Sequence, residues 1–335
     1  MKLATERTGG PKGRPLVVST DLTQVTAADH IVPNLLTALE QWDEVRPALE
    51  ELSNRLNAGQ DSRSRPFDQV QFAAPLPRTW QWLDGSAYPT HGRLMQQAYD
   101  LPALPTEPPL MYQGMSHRFL GPTEEVVLPD PAHGIDFEGE LGAITGDVPM
   151  GVSPAEALGA VRLLVQINDW SLRALGAAEM KTGFGWVTAK PACSMAPVAV
   201  TPDELGEAWR DGQLRGTLEV KLNGETFGNV DASPMEFGFD RLIAHAATTR
   251  ELCAGTIIGS GTLSSPDYRT QGSCCIAERR AIETIEYGAP QTPFLSDGDR
   301  VEMTAHVPGS SAPPFGSIEQ RVSHGLQVRL RKDMK

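Results

Sequence analysis

The chain has 335 residues, 40% of them apolar and 21% charged, with a formal net charge of −13. This length and globular composition predict a small domain followed by a larger one. The acidic balance, with no cluster of Lys and Arg, argues against a nucleic-acid partner, and no apolar run approaches the roughly 18 residues that cross a bilayer.

The first twenty residues hold Lys2, Arg7, Lys12 and Arg14 but only Leu16-Val17-Val18 as an apolar run. That is too short for a secretory signal, so a cytoplasmic location is expected. This Gly- and basic-rich start reads as flexible, and Leu16 to Ser19 reads as a strand. From Asn34 to Asn57, Leu35, Leu36, Leu39, Trp42, Val45, Leu49, Leu52 and Leu56 recur at helical spacing and form one amphipathic face. Polar Gly59 to Phe67 reads as a linker, so a small α/β N-terminal domain is expected over residues 1–70 and a catalytic domain over 71–335.

A helix around Gly92 to Tyr99 leads through Pro-rich Leu101 to Pro109 to Leu110-Met111-Tyr112. Strands are predicted at Glu124 to Leu128, Asp136 to Thr145, Val161 to Asn168, Thr217 to Leu222, Thr256 to Ser260, Ala281 to Tyr287, Arg300 to His306 and Gln327 to Leu330. Helices interrupt them at Pro154 to Leu158 and Phe239 to Leu252. Regular β-α alternation is absent, so the expected class is α+β with a curled sheet. Cys193, Cys253, Cys274 and Cys275 have no C-x-x-C spacing, and adjacent Cys274-Cys275 read as buried small residues.

Chemistry first shows in Ile135-Asp136-Phe137-Glu138-Gly139-Glu140-Leu141, whose acids at every second position would share one strand face. A solvated face tolerates them; so does a divalent cation seated against Glu138 and Glu140. The next apolar strand ends in Asn168-Asp169. Asp169 there is either a cap for the following segment or a third ligand. Arg173, four residues on, suits a two-pronged clamp on a substrate carboxylate or a surface salt bridge.

Together with Ala189-Lys190-Pro191, Gly259-Ser260-Gly261-Thr262-Leu263-Ser264 and Phe294-Leu295-Ser296-Asp297-Gly298-Asp299-Arg300-Val301, these motifs resemble the fumarylacetoacetate hydrolase family over about residues 105 to 330. Bacterial members with a small N-terminal extension are the nearest in pattern. The resemblance implies a mixed β-roll catalytic domain and a homodimer. It also implies hydrolysis of carbon-carbon bonds in 1,3-dicarbonyl acids such as acylpyruvates, with Mg²⁺, Mn²⁺ or Ca²⁺. Decarboxylation or isomerisation of oxo acids would pass through the same enolate. It places Glu138, Glu140 and Asp169 as metal ligands, Lys190 as the cation stabilising an enolate, and Glu283 as the orienter of a catalytic histidine. Thr262, Gly261 and Tyr112 fall with the substrate-binding residues.

The pattern breaks at Tyr112-Gln113-Gly114-Met115-Ser116-His117-Arg118-Phe119, where the family supplies a further metal-binding Asp and this chain has Arg118. Three outcomes are open. Arg118 replaces the metal by pairing with the three carboxylates, His117 becomes a fourth ligand, or both are surface loop residues. The first outcome would leave a metal-independent enzyme of a specialised pathway, and a non-catalytic binding protein on the same fold is a further alternative. The histidine that follows the Asp in hydrolytic members is also missing between Phe119 and Leu128. His133 stands in an ordinary turn, and His245 falls on an apolar helix face.

Overall fold

The structure is a computed structural model and describes residues 1–8, 10–102 and 107–325. Its main strands are β1 Lys2–Glu6, β2 Arg14–Val18, β3 Gln24–Ala27, β4 Arg65–Pro66, β5 Trp82–Gly85, β6 Met111–Gln113, β7 Val126–Leu128, β8 Gly139–Thr145, β9 Val161–Asn168, β10 Val198–Val200, β11 Thr217–Leu222, β12 Glu225–Asp231, β13 Ile257–Gly259, β14 Arg300–His306 and β15 Ser317–His324. The helices that matter below are α1 Leu35–Glu40, α2 Trp42–Asn57, α3 Pro89–Tyr99, α4 Pro154–Gly159, α5 Arg173–Met180, α6 Phe239–Ala246 and α7 Ile276–Tyr287. No helix among the described residues is long and apolar enough to cross a membrane.

The larger sheet runs β4-β3-β2-β1-β10-β9-β8-β13-β5-β6, with Ser194–Met195 also pairing to β9. A second sheet runs β12-β11-β14-β15-β7. Both are mixed, since β5 runs parallel to β13 and β7 parallel to β15 while their other pairings are antiparallel. The class is α+β, as the absence of β-α alternation predicts. β9 is buried at seven of its eight positions, which is why Val-Arg-Leu-Leu-Val-Gln-Ile-Asn reads as a nearly continuous apolar run. Its one awkward group is answered: Gln166 donates to the Met303 carbonyl and accepts from Ala305 N–H, tying the two sheets together.

The N-terminal segment is not a flexible start. β1 is buried at all five positions and pairs with β10, so it continues the larger sheet. The segment 59–67, read as a linker, holds β4 against β3. The expected single helix over 34–57 is two, α1 and α2, with Asn34 capping the first through Thr37 N–H. The strand expected over Ala281 to Tyr287 is the second half of α7. Ile276, Ala277, Ala281 and Ile282 are buried and Ile285 packs beside them, a helical spacing that a seven-residue window does not reveal. The helix expected over Phe239 to Leu252 stops at Ala246. The strand expected over 327–330 and residues 103–106 of the Pro-rich segment lie outside the described residues. Cys274 and Cys275 are buried and free, as expected.

Candidate active site

Neighbouring strands bring acidic residues to one end of the larger sheet. Asp84 of β5 lies in register with Gly259 of β13 on one side and Tyr112 of β6 on the other. Glu140 of β8 faces Ile167 of β9, and Asp169 follows β9 directly. Two glycines make room. A side chain on Gly259 would collide with the Asp84 carboxylate and the Trp82 ring, and Gly261, at φ +74°, donates its N–H to Asp84 Oδ1 at 3.0 Å.

One oxygen from each of Asp84, Glu140 and Asp169 lies within 4.8 Å of the others, and all three residues are buried. Asp169 is well supplied with donors: Tyr112 Oη and Lys190 Nζ each donate to Oδ2 at 2.6 Å, and Cys193 Sγ donates to Oδ1 at 2.9 Å. Glu140 is the opposite case. Both of its oxygens are buried, and among the described residues neither receives a hydrogen bond. Burial, then the charges of Asp84 and Asp169, push its carboxyl well above the usual range. Burial, reinforced by Asp169, likewise pushes Asp84 up to about 8. Without a cation, burial and mutual repulsion work against the charged forms of the pair; with one, bare carboxylate oxygens in a dry pocket are the donor set a hard divalent ion takes. The residues therefore fit such an ion.

Glu138 is occupied differently. Its Oε1 lies 2.9 Å from both Lys190 Nζ and Arg173 Nη2 and accepts from the Ser171 hydroxyl; its Oε2 accepts from Thr262 Oγ1. Burial works against this carboxylate's charge, but Arg173 and Lys190 outweigh it and hold its pKa far below normal. Glu138 thus pairs with two cations; the sequence placed it among the metal ligands. Asn168 fixes it further, by accepting from the Glu138 N–H at 3.0 Å. Nor do the three acids of the D-x-E-x-E run share one continuous strand, since Phe137 and Glu138 interrupt it before β8. Asp136 faces elsewhere, accepting from the Ile276 and Ala277 N–H groups at the start of α7 and from Arg173 Nε.

Lys190 is buried between Asp169 and Glu138. Burial lowers its affinity for the proton, but these two carboxylates raise it by more, so the ammonium is held charged. Its Nζ also lies over the rings of Tyr112 and Trp186, at 5.3 and 5.6 Å, and those rings meet edge to face at 4.9 Å.

Several expected residues lie away from this centre. Arg118 is exposed and donates to Glu124 at 2.7 Å, and His117 is exposed beside it, so neither replaces nor ligates a metal. Glu283 sits on α7 and accepts from Gln291 N–H, Thr292 N–H and the Thr292 hydroxyl, which makes it a loop anchor, not the partner of a histidine. Arg173 is engaged by Asp136 through Nε and by Glu138 through Nη2. Thr262, Gly261 and Tyr112 do reach the centre, through Glu138, Asp84 and Asp169 respectively. Sequence reasoning missed Asp84, an acid within a strand buried at every position.

A family model described as Fumarylacetoacetate (FAA) hydrolase C-terminal matches residues 81–323, and one described as Fumarylacetoacetase N-terminal domain 2 matches residues 1–78. The chain is 32% identical over 163 residues to 2,4-didehydro-3-deoxy-L-rhamnonate hydrolase of Sphingomonas sp., a match covering 48% of this chain and only about half, 54%, of that relative. It is 26% identical over 255 residues to an oxaloacetate tautomerase of Bacillus subtilis, covering 75% of this chain and 74% of the relative. Its fold is similar to that of maleylpyruvate hydrolase from Sphingobium sp. SYK-6, solved in complex with manganese(II) ion and pyruvate: TM-score 0.65, 19% identity, 97% of this chain and 100% of that one.

Proposed function

This chain belongs to the fumarylacetoacetate hydrolase family, and from that premise we propose that it is an enzyme acting on a 1,3-dicarbonyl or acylpyruvate-like oxo acid through an enolate, with carbon-carbon bond hydrolysis as its reaction. The observation that carries the reading is the bare, buried Glu140 carboxyl between Asp84 and Asp169. Asp84, Glu140 and Asp169 would hold Mg²⁺ or Mn²⁺, which supplies a Lewis acid for the substrate's oxygens.

The protein's own groups do the rest. Lys190, charged and desolvated, faces the negative charge that develops on an enolate oxygen, where a fixed cation is worth far more than in water. Glu138, Asp169 and the two aromatic rings keep its ammonium in place. Thr262 and Arg173 hold Glu138 in turn, and through it they position the lysine. Tyr112 and Cys193 orient Asp169 from two sides.

Tautomerisation of an oxo acid passes through the same enolate and is the second reading; the similarity to an oxaloacetate tautomerase favours it. The metal-independent reading required Arg118 among the carboxylates, and Arg118 pairs with Glu124 instead. A homodimer is part of the proposal, and light scattering gives the mass that tests it. The activity test is incubation of the Mn²⁺-loaded protein with acetylpyruvate and with enol-oxaloacetate. Cleavage of the first supports hydrolysis, accelerated loss of the second's enol absorbance supports tautomerisation, and inertness toward both with metal bound would refute the enolate reading.

A further inference from the structure

One short segment leads into Lys190. α5 ends at Met180, and residues 181–189 carry the chain back to the lysine. Between Met180 and Val187, three large apolar side chains stand in solvent: Met180, Phe184 and Val187. Phe184 and Val187, at 96% and 82%, are more exposed than any other large apolar side chain among the described residues. Singly exposed apolar residues are ordinary, but a group of them beside a buried cation marks a place that takes up something apolar. Trp186, in their midst, is half-buried. Its ring meets that of Tyr112 at 4.9 Å, and both rings flank Lys190 Nζ.

The segment's backbone is tied in this shape. Glu179, in the last turn of α5, accepts from Val187 N–H at 3.1 Å, Thr188 N–H at 2.9 Å, Ala189 N–H at 3.1 Å and the Thr188 hydroxyl at 2.8 Å. The Glu179 carbonyl accepts from the Thr182 hydroxyl and the Thr182 N–H. Gly183 and Gly185, at φ +73° and +94°, make the turn that carries Phe184 at its tip. The apolar side chains are thus held out by an ordered backbone, so covering them loses little further conformational freedom.

An oxygen that accepts from Lys190 Nζ lies about 2.8 Å from it, and the chain attached to that carbonyl then passes beside the Tyr112 and Trp186 rings. We propose that Tyr112 and Trp186 form the wall, and Phe184 and Val187 the rim, of a subsite for an apolar substrate tail. The preferred substrate is then a 2-oxo acid whose far end is alkyl or aryl, not a second carboxylate. The proposal deepens the enolate reading and rests on it. Trp186 is the specificity-determining residue, and Glu179 positions it. Lys181 is the one cation between Met180 and Ala189, and it is exposed. A substrate with two carboxylates would call on it.

Straight-chain 2-oxo acids from pyruvate to 2-oxooctanoate carry no second carbonyl to cleave, so calorimetric titration into the full chain with Mn²⁺ reads the subsite apart from turnover. Affinity should rise about two- to fourfold per methylene. Trp186→Ala should lower the ratio of 2-oxooctanoate to pyruvate affinity by about tenfold. Trp186→Phe keeps an aromatic ring and should retain most of that ratio, and it serves if the alanine variant folds poorly. Glu179→Ala, which unties the segment, should lower the same ratio. A merely structural role for either residue would weaken the whole series alike and leave the ratio unmoved. A flat series in the wild type would overturn the proposal, as would an unaltered ratio in Trp186→Ala or tighter binding of 2-oxoadipate than of 2-oxohexanoate. A wild type that binds no 2-oxo acid overturns it too. A rising, Trp186-dependent series in a protein that turns over neither acetylpyruvate nor enol-oxaloacetate would instead sink the enolate reading and leave the subsite standing.

Discussion

The Gly261 N–H donates to Asp84 Oδ1 at 3.0 Å, from a backbone at φ +74° where a side chain would run into the Gly85 carbonyl. One glycine thus supplies both the turn and the hydrogen bond that aims Asp84. Gly261→Ala combines a left-handed strain with a backbone clash, so it should lower stability by about 1–3 kcal/mol. Urea melts measure that loss. Because Asp84 loses its aim, Mn²⁺ affinity should fall too.

Arg118 lies on the surface with Glu124. Its side chain is 59% exposed, so the pair contributes little. Arg118→Ala should change stability by less than about 1 kcal/mol and leave Mn²⁺ titrations unaltered. A gain or loss of metal affinity would show that the arginine acts on the centre.

The raised carboxyls give a pH signature to the metal-free protein. Asp84 is lifted from its ordinary value to about 8, chiefly by burial, and Glu140 is lifted as well. A carboxyl whose folded pKa exceeds its unfolded one favours the fold while protonated, and that contribution fades as pH rises through the folded pKa. The melting temperature of chelator-treated protein should therefore fall between about pH 5 and about pH 9. Saturating Mn²⁺ should flatten the decline, since it replaces the protons. A melting temperature that rises across this window without metal would contradict the assignment.

Glu283 separates structure from chemistry. It accepts three hydrogen bonds from residues 291 and 292. Glu283→Gln should cost about 1–3 kcal/mol of stability while leaving the Mn²⁺ affinity of the folded protein unchanged. Loss of Mn²⁺ affinity at full stability would restore it to the site.

The sequence made much of this legible where local pattern and role coincide. Val161 to Asn168 folds as the strand its apolar run predicts, and Glu140, Asp169 and Lys190 converge as their motifs imply. The errors have physical causes. Alternation in D-x-E-x-E assumed an unbroken strand, but the chain leaves the ladder at Phe137-Glu138, so three like acids acquire three different environments. Arg118 was placed by its position in a motif, and nothing in a motif records that Glu124 waits six residues away to draw it outward. Asp84 meets Asp169 across 85 residues, and a contact of that range leaves no local signal.

The central claim is that Asp84, Glu140 and Asp169 form a divalent-metal site while Glu138 anchors Lys190. Calorimetric titration of Mn²⁺ into chelator-treated wild type and Asp84→Asn tests it most directly. One saturable site in the wild type, weakened by more than about a hundredfold in Asp84→Asn, is the predicted result. Undiminished binding in Asp84→Asn, or no binding in the wild type, would contradict it.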